Sequence, residues 1–251
     1  AVLFGKYQLE RVIGRGRSGT VFLARHLGLD EERAIKRVRR TESGFIQEAA
    51  LLKRLRHPGI PIIYDLEIDE NYYYLIEEYL CGESLYARIE RTGSLQTGEL
   101  IRLGIELCRI MNYLHSFKPN PILYLDLHPG NLLICREQLK LIDFDQAALA
   151  SLSQERSVCY GTKGFAAPEQ YEGGTLDERT DIYAIGALLY YMGTGHAPEG
   201  EIKAGQGSCR GDLYILMGRC LRTEKKERCQ SVREVLEALE KLEARIFAER
   251  H

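Results

Sequence analysis

Tyr124-Leu125-Asp126-Leu127-His128-Pro129-Gly130-Asn131 is the stretch whose reading decides the fold. Asp126 and Asn131 stand five residues apart across Pro129 and Gly130, a spacing that favours a compact loop over a helix. Just beyond, apolar runs at 132–134 and 139–142 bracket a turn, so Asp143 of Asp143-Phe144-Asp145 is expected to emerge from a strand end. Each acid taken alone reads equally well as a surface turn residue. Their ordered set around one turn does not.

Upstream lies Gly14-Arg15-Gly16-Arg17-Ser18-Gly19-Thr20-Val21. Phosphates need donors that approach closely, and three glycines let a hairpin bring its amides over a triphosphate. A dinucleotide-binding turn uses similar glycines but opens a helix, whereas Thr20-Val21-Phe22-Leu23 continues as strand. A plain hairpin turn is the bland alternative. In Ala34-Ile35-Lys36-Arg37-Val38, strand alternation points Lys36 away from Ile35 and Arg37. Phe45, Glu48, Leu52 and Leu55 follow at steps of three, four and three, placing Glu48 in an apolar helical stripe. A buried carboxylate needs a cation, and Lys36 is the natural one; a solvated Glu48 is the alternative.

The whole chain sets the outer limits. Its 251 residues suffice for one large domain or two small lobes, and 45% hydrophobic with 28% charged content is that of an ordinary globular protein. With 34 basic and 36 acidic residues spread along the chain, no basic stripe argues for nucleic acid. The longest apolar stretch, 184–192, is too short to span a bilayer, and no signal peptide opens the chain. It begins with Ala1 rather than Met, so an anchor elsewhere in a longer product stays open. Seven cysteines without close pairing suggest neither a disulfide framework nor a zinc site, and a reducing cytoplasm is the simpler reading. Cys159, in an expected loop, is the candidate reactive thiol.

Residues 7–12, 20–24, 33–38, 62–68 and 72–77 read as strands bounded by turn residues. After Gly82 the helical period dominates: Leu100, Leu103, Leu107, Ile110 and Leu114 form a stripe, with Thr97 as its expected N-cap. Ser231 and Glu234 carry a capping-box signature for a last helix through Val235, Leu239 and Leu242.

In order and spacing these motifs resemble the protein kinase family, and the phrases Ala166-Ala167-Pro168-Glu169-Gln170-Tyr171 and Arg179-Thr180-Asp181-Ile182-Tyr183 look most like bacterial kinases of the eukaryotic type. The resemblance covers essentially the whole chain. It implies an α+β, bilobal kinase-like fold: a β-rich N-lobe with one main helix over residues 1–80, a hinge at about 78–82, and a helical C-lobe over 82–251. It implies an ATP- and magnesium-dependent enzyme, with manganese as a possible substitute, acting on protein serine and threonine hydroxyls in bacterial signalling. Lys36, oriented by Glu48, would meet the α- and β-phosphates; Asp126 would accept the hydroxyl proton; Asn131 and Asp143 would hold the metal. Thr162 would hydrogen-bond near Asp126, Glu169 would pair with Arg228, and Asp181 would brace the catalytic loop. Ile13, Val21 and Ala34 would roof the adenine, Leu133 would floor it, and backbone between Glu78 and Leu80 would meet its edge. These apolar residues read equally as core. Family members often pair through the small lobe, so a homodimer is a further implication.

The sequence also departs from the family. Leu125 replaces an arginine that normally receives an activation-loop phosphate, so activity independent of Ser151, Ser153 and Ser157 is expected. His128 stands where a lysine usually contacts the γ-phosphate, and a histidine with a pKa of about 6.5 is charged only part of the time. Asp145 replaces a glycine and adds negative charge with no evident gain. Tyr124 replaces the usual histidine. Glu77 falls at the back of the adenine pocket or, with the register slipped by one, beside it. A pseudokinase scaffold is the alternative these departures raise, and a small-molecule phosphotransferase is another. The run from 199 to 211, rich in glycine and charge, looks short for the family's peptide-docking region.

Overall fold

The computed structural model describes residues 1–16, 19–41, 45–153, 161–199, 202 and 211–248, apart from the side chains of Gln47, Glu48, Leu152 and Ser153. The chain divides into two compact units, Ala1–Gly82 with Ile142–Asp145, and Glu83–Leu141 with Gln146–His251.

The first unit contains β1 (Val2–Leu3), β2 (Tyr7–Gly16), β3 (Gly19–His26), β4 (Glu31–Arg39), the helix α1 (Phe45–Leu52), β5 (Ile63–Ile68) and β6 (Tyr72–Glu78). Six antiparallel strands make one sheet in the order β1-β2-β3-β4-β6-β5. Strand alternation sends Tyr7, Ala24, Ile35, Tyr74 and Ile76 into one buried cluster. At the edge, β5 reverses the usual arrangement. Ile62, Tyr64, Leu66 and Ile68 are exposed, while Asp65 and Glu67 pair with Lys6.

β2 and β3 form the glycine hairpin, with Gly16 opposite Gly19 and a register shift between Val12 and Gly14 that leaves Ile13 as a bulge. Arg17 and Ser18, at its tip, lie outside the described residues. A Cβ on Gly19 would sit 2.2 Å from the Arg37 carbonyl oxygen, so packing of β3 on β4 demands glycine there. Gly14 and Gly16 are different. A Cβ would meet only Val21, at 3.7 Å, in the first case and nothing in the second.

The second unit opens with β7 (Glu83–Ser84) and α2 (Leu85–Thr92), an amphipathic helix capped by Ser84 Oγ, which accepts from Ala87 N at 3.1 Å. It continues with α3 (Thr97–His115), β8 (Ile122–Leu123), β9 (Leu132–Cys135), β10 (Gln138–Leu141), β11 (Ala148–Leu149), α4 (Ala150–Ser153), α5 (Pro168–Glu172), α6 (Glu178–Thr194), α7 (Gly211–Cys220) and α8 (Val232–Ala248). The expected stripe on α3 is buried throughout. Truncating any one of these leucines to alanine would cost about 2–5 kcal/mol. Helix α6 is apolar on nearly every side, as a helix buried all round must be.

Of the two expected helix starts, one is borne out and one is not. The residue flanking α3 is Gln96, extended and without a side-chain cap bond, and Thr97 is the first helical residue. Threonine's hydroxyl gains a capping role only one position earlier, so the expected N-cap is corrected. On α8, Ser231 Oγ does accept from Glu234 N at 3.2 Å, and the return arm runs from Gln230 N to Glu234 Oε2 at 2.9 Å. Among the described residues no helix is long and apolar enough to cross a membrane. The segment carrying Ser157 and Cys159, and most of the run from 199 to 211, lie outside the described residues.

Candidate active site

The candidate residues fall into two groups, one in each unit. In the first, Lys36 sits on β4 with Leu75 opposite it on β6, and it is only 5% exposed. Its ammonium donates to Asp143 Oδ1 at 3.1 Å and to Asp145 Oδ1. Asp145 was expected to add charge for no gain. It is instead a partner of the lysine, which corrects that reading. Glu48 lies on α1, but its side chain is outside the described residues.

Asp143 follows the end of β10 and has φ +60, a left-handed conformation uncommon for aspartate, of the strained kind that recurs at ligand-binding positions. Burial raises its carboxyl pKa above the ordinary range, Lys36 opposes that rise, and Asp145 adds to it. Glu77, across from Ala34 on β4, faces the same group. Burial pushes its pKa up to about 7, against the pull of Lys36 and with help from Asp143 and Asp145. Among the described residues, Lys36 thus faces three carboxyls that are costly to ionise together.

Nearby on the sheet, Ile13 keeps 36% of its surface exposed, Val21 is half-buried and Ala34 is buried. Glu78 ends β6, donating its N–H to the Ile62 carbonyl at 2.8 Å and accepting the Ile62 N–H on its own Oε2 at 3.3 Å. Leu80 follows in irregular chain.

In the second unit the loop from Tyr124 to Asn131 is held from several sides. Asp181, at 1% exposure on α6, accepts from the backbone N–H of Tyr124 and of Leu125, each at 2.8 Å, and faces His115 Nε2 at 2.9 Å. Leu125 has φ +67, and its side chain is buried with Leu123 and Leu176. Gln170, 2% exposed on α5, donates to the Leu125 carbonyl at 2.8 Å. The loop then closes in one 3-10 turn, Pro129–Asn131.

This clamping fixes Asp126. Its Oδ1 accepts from Thr162 Oγ1 at 2.9 Å, and its backbone carbonyl accepts from Asn131 Nδ2 at 3.1 Å. His128 Nδ1 accepts from Gly130 N–H at 3.1 Å, which places the ring proton on Nε2, 3.7 Å from Asp126 Oδ2. Asp126 Oδ2 therefore has donor groups close by but no short bond to them. With the Asn131 amide nitrogen committed, Oδ1 is the atom left to a cation. Leu133 is half-buried on β9 between the buried Leu132 and Ile134.

Farther from the loop, Arg228 is 1% exposed and makes a two-pronged bond to Glu169, at 2.7 and 2.8 Å. Burial alone would raise the Glu169 pKa, but the bond to Arg228, its charge, a backbone bond and the Thr180 hydroxyl together hold the carboxyl below its ordinary range. Sequence reasoning missed Gln170 and the pairing of Asp145. The phrase Pro168-Glu169-Gln170 marked the position of Gln170, while nothing local signalled a contact between Asp145 and a residue 109 positions away.

Residues 7–242 match the family described as protein kinase domain, and the chain belongs to that family. It is similar to serine/threonine-protein kinase PrkC of Bacillus subtilis, 35% identical over 209 residues that make up 78% of this chain and 32% of the relative. Serine/threonine-protein kinase PknB of Mycolicibacterium smegmatis is 32% identical over 213 residues, 78% of this chain and 33% of its own. Serine/threonine-protein kinase pkn3 of Myxococcus xanthus is 30% identical over 213 residues, covering 77% and 38%. The chain spans about a third of the length of these curated relatives.

Proposed function

We propose that this chain is the catalytic domain of an ATP- and magnesium-dependent protein kinase that transfers the γ-phosphate to serine or threonine hydroxyls. The observation that carries this reading is the positioning of Asp126: one carboxylate oxygen is occupied by Thr162 and the backbone is tied by Asn131, leaving Oδ2 to accept a substrate proton. The names of the bacterial relatives support the hydroxyl class.

The remaining assignments follow the same reading. Lys36 and the amides of the Gly14–Gly16–Gly19 hairpin hold the triphosphate. That Gly14 and Gly16 have no protein neighbour demanding glycine supports a ligand as the reason for them. Asp143 and Asn131 offer oxygen donors of the kind magnesium takes, and a carboxyl left costly by burial fits a cation. When bound, the metal would neutralise charge on the phosphates. Ile13, Val21, Ala34 and Leu133 are assigned to the base, with the backbone from Glu78 to Leu80 at its edge. Such a site works by positioning and electrostatics more than by covalent chemistry.

A protein is the substrate under this reading, and Thr162, Glu169 and Arg228 support it. The cytoplasm is the compartment the cysteine usage favours. Pairing of two copies through the β-rich unit is supported by the exposed Tyr64, Leu66 and Ile68 on β5 and Ile62 just before it.

A phosphotransfer assay with radiolabelled ATP and a generic basic protein, followed by mass-spectrometric mapping, tests the reading. Label on serine or threonine should fall by at least about a hundredfold in Asp126→Asn. Nucleotide binding without transfer by the unaltered chain would instead establish a scaffold.

A further inference from the structure

Cys220, the last residue of α7, and Cys229, three residues before α8 begins, bring their sulfurs to 3.9 Å. Both are 0% exposed. Neither takes part in the chemistry above, and a Cys–Cys contact across eight intervening residues has no role in the kinase reading. We propose that Cys220 and Cys229 are an oxidisable dithiol that closes into a disulfide around Arg228.

The two sulfurs are not equivalent. The Cys220 thiol donates toward Cys229, and this contact, with the Arg219 guanidinium that acts on both sulfurs, holds the Cys229 thiol below its ordinary range. Glu234, which faces it from α8, opposes the effect, and Arg219 and Glu234 are themselves paired. The Cys220 thiol is raised by the same contact and by burial. Cys108 on α3 is close enough to be felt electrostatically, but its thiol is raised by burial and no hydrogen bond joins it to the pair. Cys229, which lies in the irregular segment before α8, is taken as the attacking sulfur and Cys220, packed against Gly186, as the resolving one.

Hydrogen peroxide is the oxidant the proposal names, since one molecule supplies both oxidising equivalents. The Cys229 thiolate attacks one peroxide oxygen, the O–O bond breaks, and hydroxide leaves and is protonated to water. The Cys229 sulfenic acid is then attacked by the Cys220 sulfur, which gives up its proton as the S–O bond breaks and a second water leaves. Two thiols lose two electrons in all, and one peroxide becomes two waters.

Closing from 3.9 Å to a bond of about 2.05 Å requires movement. On the Cys220 side little is available, since a Cβ added at Gly186 of α6 would lie 2.5 Å from Cys220 Cβ. The Cys229 side, at the start of a short irregular segment, supplies the shift. The bridge encloses Arg228 and staples the end of α7 to the approach of α8.

The test uses the whole chain, reduced, exposed to hydrogen peroxide, alkylated in denaturant and cut with trypsin without reductant. The expected product is Cys220–Arg222 linked to Cys229–Arg233, lighter by two hydrogens than the separate peptides and released by dithiothreitol. Its appearance should accompany a rise in melting temperature of roughly 5 °C that Cys229→Ser abolishes. Recovery of both cysteines alkylated, linkage of either to Cys108, or a linked product that melts lower would each overturn the proposal. Should Cys229→Ser fail to fold, the peptide map of the unaltered chain decides alone.

Discussion

Lys36 and Arg228 are both buried cations bonded to carboxylates, yet their surroundings differ in balance. Arg228 uses all five of its N–H groups: two reach Glu169, and three reach the carbonyls of Arg222, Thr223 and Arg179. Its ring-face contact with Tyr183, at 5.1 Å, completes the enclosure. One acid meets one base, and that acid titrates low. Around Lys36 the proportions invert among the described residues, with Asp143, Asp145 and Glu77 gathered about the lysine and the Asp143 and Glu77 carboxyls titrating high. A saturated pair fixes structure. A cluster short of positive charge favours a cation brought from outside.

The sharpest way to break this contrast is Asp143→Asn. It should lower phosphotransfer on the order of a thousandfold while leaving the melting temperature unchanged or higher, because a carboxyl that burial disfavours has been removed. A comparable loss of fold would show that Asp143 is structural after all.

Arg228→Met should do the reverse. Stranding Glu169 without its cation should cost about 3–5 kcal/mol, read as a fall in the urea midpoint, and adding Glu169→Leu should recover part of it. Strict additivity of the two changes would mean the pair is not coupled.

Glu77→Gln probes the charge shortage by pH. The folded group titrates at about 7 against an ordinary 4.5, so the native state holds the extra proton between those values. Its penalty is absent below pH 4.5, grows through the interval and is complete above pH 7. The glutamine variant should therefore gain about 3 kcal/mol at pH 8 and little at pH 5. A gain independent of pH would detach Glu77 from the cluster.

Asp145→Gly frees Lys36 from one competitor. ATP should bind roughly threefold to tenfold tighter, measured by calorimetry, and weaker binding would mean that Asp145 helps to hold the metal instead. The smallest effect belongs to a position where the cation is missing altogether. With Leu125 in place of a phosphate-receiving arginine, replacing Ser151, Ser153 and Ser157 by alanine should leave the rate within about threefold, and a collapse would overturn that reading.

What could be read in advance follows the range of the forces involved. Asp126, Asn131 and Lys36 were legible because loop spacing and strand alternation are local rules, and the stripe on α3 was legible for the same reason. Strand β2 runs four residues past its expected end because the glycines extend the hairpin they also permit. Helix α2 went unassigned, since it is only eight residues long and buries just Leu85 and Ile89, too few apolar positions to read as a period. The partner of Asp145 and the grip of Gln170 on the Leu125 carbonyl were invisible, being set by tertiary approach between distant segments. A one-residue difference at Thr97 shows the limit for helix starts, where composition alone does not pick between adjacent positions.

Leu125 sits in hydrocarbon, wedged beside Leu123 and Leu176, with its backbone claimed by Asp181 and Gln170. A loop seated this way is wound at the time of folding and has no socket at that residue for an added phosphate to turn. Under the proposed reading such a chain would need no added phosphate at that loop to be active, and control over its output would pass to synthesis, turnover and encounter with its target.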